Sequence, residues 1–226
     1  MNLWAAVQAN GPVQTVNLVG GFLVGLYNPL HMEYTVRFLK TDSSTTQRCH
    51  LYVGQSRLSL VADYGTPWLA NDAGKVRFSR PSGETLASLE FPGLKATSKG
   101  GQSRTSYALI YDHAVYAIFN QLVWPDEDDP EALPYFVIET EGERWLALSG
   151  QQNGRSSTPQ FVLCDQAPAN LQAYAQAMDD CLADPVGQIS WPGDPAEYVM
   201  LLPDGRFRQP QLILLALVFL IHQLQN

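Results

Sequence analysis

The feature that most constrains this chain is an apolar run near its C-terminus. Ten consecutive apolar residues extend from Leu212 to Ile221, and Pro210, which suits a first helical turn, stands just before them. As a helix this run is about 15 Å long, about half the hydrocarbon thickness of a bilayer. The alternative, a tail anchor, needs about 20 apolar residues. A helix that is apolar all round but too short to span a membrane must be surrounded by protein.

The preceding chain contains strands that could surround such a helix. Apolar and polar residues alternate from Glu33 to Phe38 and from Lys75 to Ser79, which is typical of antiparallel strands with one solvated face. Similar segments recur along the chain between turn signals such as Asp63-Tyr64-Gly65, Ser82-Gly83 and Glu141-Gly142. About ten to twelve such strands indicate a sandwich or a barrel. With the apolar helix, they predict a mainly β protein, a closed antiparallel barrel of about twelve strands around a buried C-terminal helix.

Two segments differ from this pattern. Residues 1–32 contain no Asp, Glu, Lys or Arg, and we interpret them as an uncharged N-terminal segment before a single barrel domain of residues 33–226. The stretch from Pro168 to Leu182 is rich in alanine and has apolar residues at helical spacing. We expect it to form a surface helix.

Charge and cysteine content restrict the environment and the partners. The net charge of −8 disfavours a nucleic acid partner. Cys49, Cys164 and Cys181 have neither a CxxC pair nor zinc spacing, so free thiols in a reducing compartment are expected. No Lys or Arg precedes Arg37, whereas a secretory signal peptide begins with a charged region. The sequence therefore predicts a cytoplasmic protein, with association at the periphery of a membrane as an option.

Known catalytic motifs are missing from the sequence. It has no GxSxG elbow, P-loop, dinucleotide-binding fingerprint or HExxH motif. The pair Asp112-His113 lies between two strand-like runs, where a hairpin turn is expected. We therefore expect that the protein is not an enzyme.

A basic segment stands out in this acidic chain. From Lys75 to Arg104 there are six basic side chains against two acidic ones, a local net charge of +4. Lys and Arg donate charge-assisted hydrogen bonds to phosphate oxygens, so the segment is a candidate site for lipid headgroups. The alternative is that these residues are only the solvated faces of strands. The candidate residues are Lys75, Arg77, Arg80, Lys95, Lys99 and Arg104.

The sequence also resembles a known family. The stretch from Asp194 to Asp204 and the run from Leu212 to Leu224 are similar to phospholipid scramblases, and Arg57 to Leu89 resembles the first half of scramblase and LURP-one-related domains. These families belong to the tubby C-terminal-like superfamily, in which a twelve-stranded barrel encloses a hydrophobic C-terminal helix. Tubby proteins bind phosphoinositide headgroups through basic residues in the corresponding half of the barrel. The resemblance therefore implies a tubby-like fold and a lipid-binding role.

The same resemblance bears on metal binding. Scramblases place acidic residues before the last helix for calcium, and Asp194 and Asp204 match two of those positions. Gly205 and Arg206 stand where further acidic residues would be expected. Asp194 and Asp204 are therefore the candidate metal ligands, and calcium, if bound, should bind at millimolar strength or weaker. No other cofactor is expected.

Two functional hypotheses follow. The first is a scramblase-like, membrane-associated protein that binds phospholipids or phosphoinositides and docks on an anionic membrane surface through the basic segment. The second is a soluble, non-enzymatic binding or scaffold module that displays loops to a protein partner. The resemblance favours the first. The net negative charge and the absence of the scramblase cysteine cluster, which accepts palmitoyl chains, favour the second.

Overall fold

The described part of the chain begins with a strand at His31. The computed structural model describes residues 31–39, 46–54, 56–65, 75–91, 95–97, 103–123, 135–150, 160–165, 180–181, 184–190, 196–203, 205 and 207–225. Residues 1–30 of the predicted N-terminal segment lie outside these ranges, so a domain boundary at residue 33 stays a prediction.

Thirteen strands form one antiparallel sheet within the described residues. They are β1 (His31–Leu39), β2 (Thr46–Val53), β3 (Arg57–Gly65), β4 (Lys75–Ser79), β5 (Thr85–Glu90), β6 (Lys95–Thr97), β7 (Ser103–Tyr111), β8 (Ala114–Val123), β9 (Tyr135–Thr140), β10 (Glu143–Gly150), β11 (Gln160–Asp165), β12 (Gly187–Ser190) and β13 (Glu197–Pro203). Each strand from β1 to β4 pairs with the next one along the chain, and so does each strand from β6 to β12. A further antiparallel pair, between β1 and β13, joins the two series.

One more strand pair closes the sheet into a barrel. The first part of β7 pairs with β6, whereas its last part, Ala108 to Tyr111, pairs with β5. Twelve strands thereby complete a ring, and the three-residue strand β6 lies beyond β5 on the same edge of β7. The predicted closed antiparallel barrel is confirmed.

The predicted C-terminal helix, α1 (Pro210–Gln225), fills this barrel. Each residue from Leu212 to Ile221 is at most 2% exposed and belongs to the core that the inward side chains of the strands also form. A fully buried Leu, Ile, Val or Phe contributes about 1.5–3 kcal/mol relative to an exposed one. Among the described residues, no helix combines the length and the apolarity that crossing a bilayer requires.

Polar contacts hold α1 at both ends. At its start, the backbone N–H of Gln209 donates to the Tyr116 hydroxyl at 3.0 Å, and the Ser59 hydroxyl donates to the Gln211 side chain. Near its end, His222 stacks on Phe38 with ring centroids 3.7 Å apart, and its Nδ1 lies 2.9 Å from the Tyr198 hydroxyl. These contacts fix how deeply the helix sits in the barrel.

A smaller apolar cluster lies on the outside of the barrel. It contains Leu122, Val137, Leu146 and Val162, together with Cys164 and Cys181. The strand residues of this cluster alternate with inward-facing ones, such as Phe136 and Ile138 on either side of Val137. Of the surface helix predicted from Pro168 to Leu182, only residues 180 and 181 are described, and both are helical.

The two cysteines of the outer cluster form a disulfide. Cys164 on β11 is bonded to Cys181, with Cα atoms 5.6 Å apart, whereas Cys49 is free and buried. The expectation of three free thiols is therefore wrong for two of them, because the fold returns the chain to β11 after 17 residues. The prediction of a cytoplasmic location loses this part of its support.

The position of α1 can be tested by placing a charge within it. Leu215 is fully buried, and an unpaired carboxylate in such a site costs several kcal/mol, comparable with the total stability of a domain. We expect Leu215→Asp to show no cooperative thermal transition by circular dichroism. The control Leu215→Met keeps the side-chain volume and should cost less than about 1.5 kcal/mol. A Leu215→Asp protein as stable as the wild type would contradict the buried position.

The stability of the barrel should depend on the protonation of His222. Burial lowers the pKa of this imidazole from 6.5 to about 4. The unfolded chain therefore binds more protons than the folded one between about pH 6.5 and 4, and the free energy of unfolding falls as the pH decreases through this range. His222→Gln does not titrate, so its urea midpoint should fall less over this range than that of the wild type. Equal pH dependence in the two proteins would contradict the assignment.

The disulfide should stabilise the folded state. Cross-linking a loop of 17 residues contributes about 3 kcal/mol by the chain-entropy argument. We expect a thiol reductant to lower the melting temperature of the wild type. The double variant Cys164→Ser/Cys181→Ser should melt at a lower temperature than the wild type, and the reductant should not change that temperature. Cys49→Ala is the control, since it should respond to reductant as the wild type does. A wild-type melting temperature that the reductant leaves unchanged would count against the bond.

Candidate functional site

A groove lies on the outer face of the barrel where β4, β5 and β7 are neighbours. Its volume is about 810 Å³, within the range of about 300–1,000 Å³ that is usual for ligand sites. The lining comes from the β4–β5 hairpin, the end of β7 and the turn that follows it. Its charged residues are Lys75, Arg77, Arg80, Glu84, Glu90 and Asp112. The groove therefore brings together three of the six predicted basic residues.

The alternation along β4 directs the cations into this groove. Lys75 and Arg77 are exposed, whereas Val76 and Phe78 between and beyond them are fully buried in the core. Across the sheet, Arg77 is paired with Ser88 on β5, and Ser88 is paired in turn with Ile110 on β7. The guanidinium of Arg77 thus belongs to a row of side chains that crosses the strand pair closing the barrel.

Two β-bulges flank the same region. The β4–β5 register shifts between Phe78 and Ser79, and the β7–β8 register shifts between Leu109 and Ile110. A bulge bends its strand and changes the direction of nearby side chains, and bulges are frequent beside functional sites. Both hairpins that line the groove therefore depart from regular sheet geometry at this point.

Two of the three cations are held by carboxylates. Lys75 Nζ lies 2.7 Å from Glu90 Oε1, and the Ser88 hydroxyl donates to that same oxygen at 2.9 Å. The hydrogen bond from Lys75 lowers the pKa of Glu90, which keeps the carboxylate ionised. Arg80 Nη1 lies 2.7 Å from Glu84 Oε2. Exposed pairs of this kind contribute about 0–1 kcal/mol to stability, so their main effect here is to orient the side chains.

Arg77 and Asp112 differ from these pairs. Among the described residues, neither side chain forms a hydrogen bond or an ion pair. Arg77 is paired across the sheet with Asp63 on β3, but Asp63 accepts a hydrogen bond from Arg48 Nε at 2.7 Å. The groove therefore presents one cation and one carboxylate whose polar atoms are available to a ligand.

Asp112 occupies the tip of a hairpin. Asp112 and His113 form the two-residue turn between β7 and β8, with φ of 51° and 61°, as the expected hairpin turn requires. Residues other than glycine rarely adopt positive φ, and such conformations are found preferentially at functional sites. The hydroxyls of Tyr111 and Tyr116, on either side of the turn, accept hydrogen bonds from Gln209 at 3.4 and 3.0 Å. The start of α1 thus holds the hairpin in place.

The remaining predicted cations are not in the groove. Arg104 lies six residues before Ile110 on β7, about 20 Å along the strand, and its Nε donates to Asn120 Oδ1 at 2.9 Å. Lys95 is in β6, and Lys99 lies outside the described residues. The predicted local charge of +4 is therefore not a property of the groove, whose lining has three basic and three acidic side chains.

The candidate metal ligands belong to the segments before α1. Asp194 and Asp204 both lie outside the described residues, so a calcium site there stays a prediction. Within the described ranges, no group of three or more His, Cys, Asp or Glu side chains is arranged to hold a metal ion.

Sequence reasoning missed part of this site. The turn signal Ser82-Gly83 centres a hairpin that places Lys75 opposite Glu90 and Arg77 opposite Ser88, so the ion pair could have been predicted from local sequence. The position of Asp112 in the groove could not be predicted, because it depends on the pairing of β5 with β7. Nothing in the local sequence indicates that pairing.

Comparison of the chain with protein-family models, with curated proteins and with solved structures finds no match. The resemblance to scramblases and tubby-like domains therefore remains a prediction from sequence.

Proposed function

We propose that this protein binds the phosphate of a phospholipid headgroup in the groove and so docks on membranes, as a scramblase-like or phosphoinositide-binding protein would. The observation that carries the proposal is Arg77, an exposed guanidinium in a groove of the size usual for ligand sites, with no partner among the described residues. An arginine fork can bind a phosphate through two parallel hydrogen bonds. We propose a binding role without catalysis.

The two flanking cations add to this capacity. Glu90 occupies one of the three donors of the Lys75 ammonium, and Glu84 occupies part of the Arg80 fork. Both side chains therefore keep donors for a second or third phosphate oxygen. Each basic side chain near an anionic leaflet is worth about 1 kcal/mol. Because the whole chain carries −8, the expected affinity is modest and decreases as salt screens the attraction.

The architecture supports a tubby-like assignment. A twelve-stranded barrel around a hydrophobic C-terminal helix is what that superfamily is expected to have. The alternative function is a binding or scaffold module that displays its hairpins to a protein partner. The equal numbers of basic and acidic side chains in the groove, with the net charge of −8, favour this alternative.

Liposome sedimentation tests the proposal. Wild-type protein should bind vesicles of phosphatidylcholine with added phosphoinositide at low salt and should dissociate as salt is raised. We expect Arg77→Gln to weaken binding about fivefold, the equivalent of about 1 kcal/mol. The triple variant Lys75→Ala/Arg77→Ala/Arg80→Ala should weaken it further.

Arg57→Gln is the matched control for this experiment. Arg57 is exposed at the start of β3 and does not line the groove, so its variant removes the same charge elsewhere. Equal losses in Arg57→Gln and Arg77→Gln would show that binding follows overall charge and would refute the groove. Absence of binding at low salt would leave the protein-partner alternative.

A further inference from the structure

We infer that the groove selects a headgroup that carries both a phosphate and a primary amine, as phosphoethanolamine does, with the phosphate on Arg77 and the ammonium on Asp112. This inference rests on the proposed function, because it specifies which headgroup the same groove takes. It follows from the way charge is distributed among the lining residues.

The charges of the groove are satisfied except at two positions of opposite sign. Lys75 is paired with Glu90 and Arg80 with Glu84. Arg77 and Asp112 have no partner among the described residues. A zwitterion satisfies both at once, whereas a purely anionic headgroup satisfies Arg77 and leaves its further negative charge facing Asp112. Asp112 therefore weakens the binding of a headgroup with further negative charge and strengthens the binding of a zwitterion.

The spacing of the two groups suits a short zwitterion. Arg77, Ser88 and Ile110 are paired across three strands, so the first and last Cα atoms are about 10 Å apart. Asp112 follows Ile110 by two residues, at the groove end of the hairpin. The long side chain of Arg77 extends across part of this distance. Both charged groups line the same groove, so one short ligand that carries a phosphate and an ammonium can contact both.

Apolar side chains lie where the uncharged parts of such a lipid would be. Leu86 and Ile110 line the groove as partly buried apolar side chains that can contact the carbon linker. Val115, 59% exposed, is paired with Ile110 across the β7–β8 hairpin. Beside a residue of the lining and exposed to solvent, it can contact the apolar part of a lipid.

The same geometry distinguishes primary from quaternary amines. A primary ammonium donates three hydrogen bonds, so it can bind the carboxylate of Asp112 directly. A trimethylammonium group has no N–H to donate, and its methyl groups keep the positive charge farther from the carboxylate oxygens. Ethanolamine headgroups should therefore bind more tightly than choline headgroups.

Vesicle binding by two charge variants tests the assignment. The probes are vesicles of phosphatidylcholine alone, of phosphatidylcholine with phosphatidylethanolamine, and of phosphatidylcholine with phosphoinositide. Wild-type protein should prefer the ethanolamine vesicles over phosphatidylcholine about fivefold, which corresponds to about 1 kcal/mol. Asp112→Asn should remove that preference and should leave phosphoinositide binding unchanged or stronger. Arg77→Gln should weaken binding to the ethanolamine vesicles and to the phosphoinositide vesicles.

The variants are chosen to keep the fold. Asparagine is favoured at positive φ in two-residue hairpin turns, so Asp112→Asn should melt at or above the wild-type temperature. Asp184→Asn is the matched control, since Asp184 is exposed and is not in the groove lining. It should keep the ethanolamine preference.

The outcomes separate this inference from the proposed function. Phosphoinositide binding through Arg77, without an ethanolamine preference or with one that Asp112→Asn retains, overturns the inference and leaves the proposed function standing. Binding neither to the vesicles nor to soluble phosphoethanolamine overturns both. Calorimetry measures the binding of soluble phosphoethanolamine separately. If the protein binds this compound but no vesicles, the zwitterion site is supported and membrane docking is refuted.

Discussion

The burial of α1 by the inward side chains of the barrel is the interaction on which the rest of the structure depends. A ring of twelve strands encloses a lumen that must be filled, and the residues from Leu212 to Ile221 fill it without a polar group. Because the inner face packs on the helix, the candidate groove lies on the outer face. The start of the helix also holds the β7–β8 hairpin through Gln209, which fixes one wall of the groove.

Most of the fold could be predicted because it follows from local patterns. The uninterrupted apolar run and the alternation of residues in strands such as β4 are properties of a few neighbouring residues. The turn predicted at Asp63-Tyr64-Gly65 was wrong. These residues form the end of β3, since Gly65 is paired with Thr46 at the start of β2. The disulfide between Cys164 and Cys181 was missed because it depends on where the chain returns after β11.

The site was less predictable than the fold for the same reason. Arg77 and its two neighbours lie on one hairpin, so the sequence shows them together. Arg104 is close to them in sequence, but it lies at the other end of β7, where it donates to Asn120. Asp112 is distant in sequence and reaches the groove through the β5–β7 pair. The sign and balance of charge in the groove are therefore set by tertiary structure.

The position of α1 in the chain has a consequence for how the protein folds during synthesis. The ribosome makes all thirteen described strands before it makes the helix that fills their lumen. The pairing of β1 with β13 also joins segments more than 150 residues apart, and contacts of such long range form slowly. The nascent chain therefore exposes the inner faces of its strands until the last helix has left the exit tunnel. Until then the apolar inner faces lack the helix that buries them, and the core is complete only once the helix has emerged.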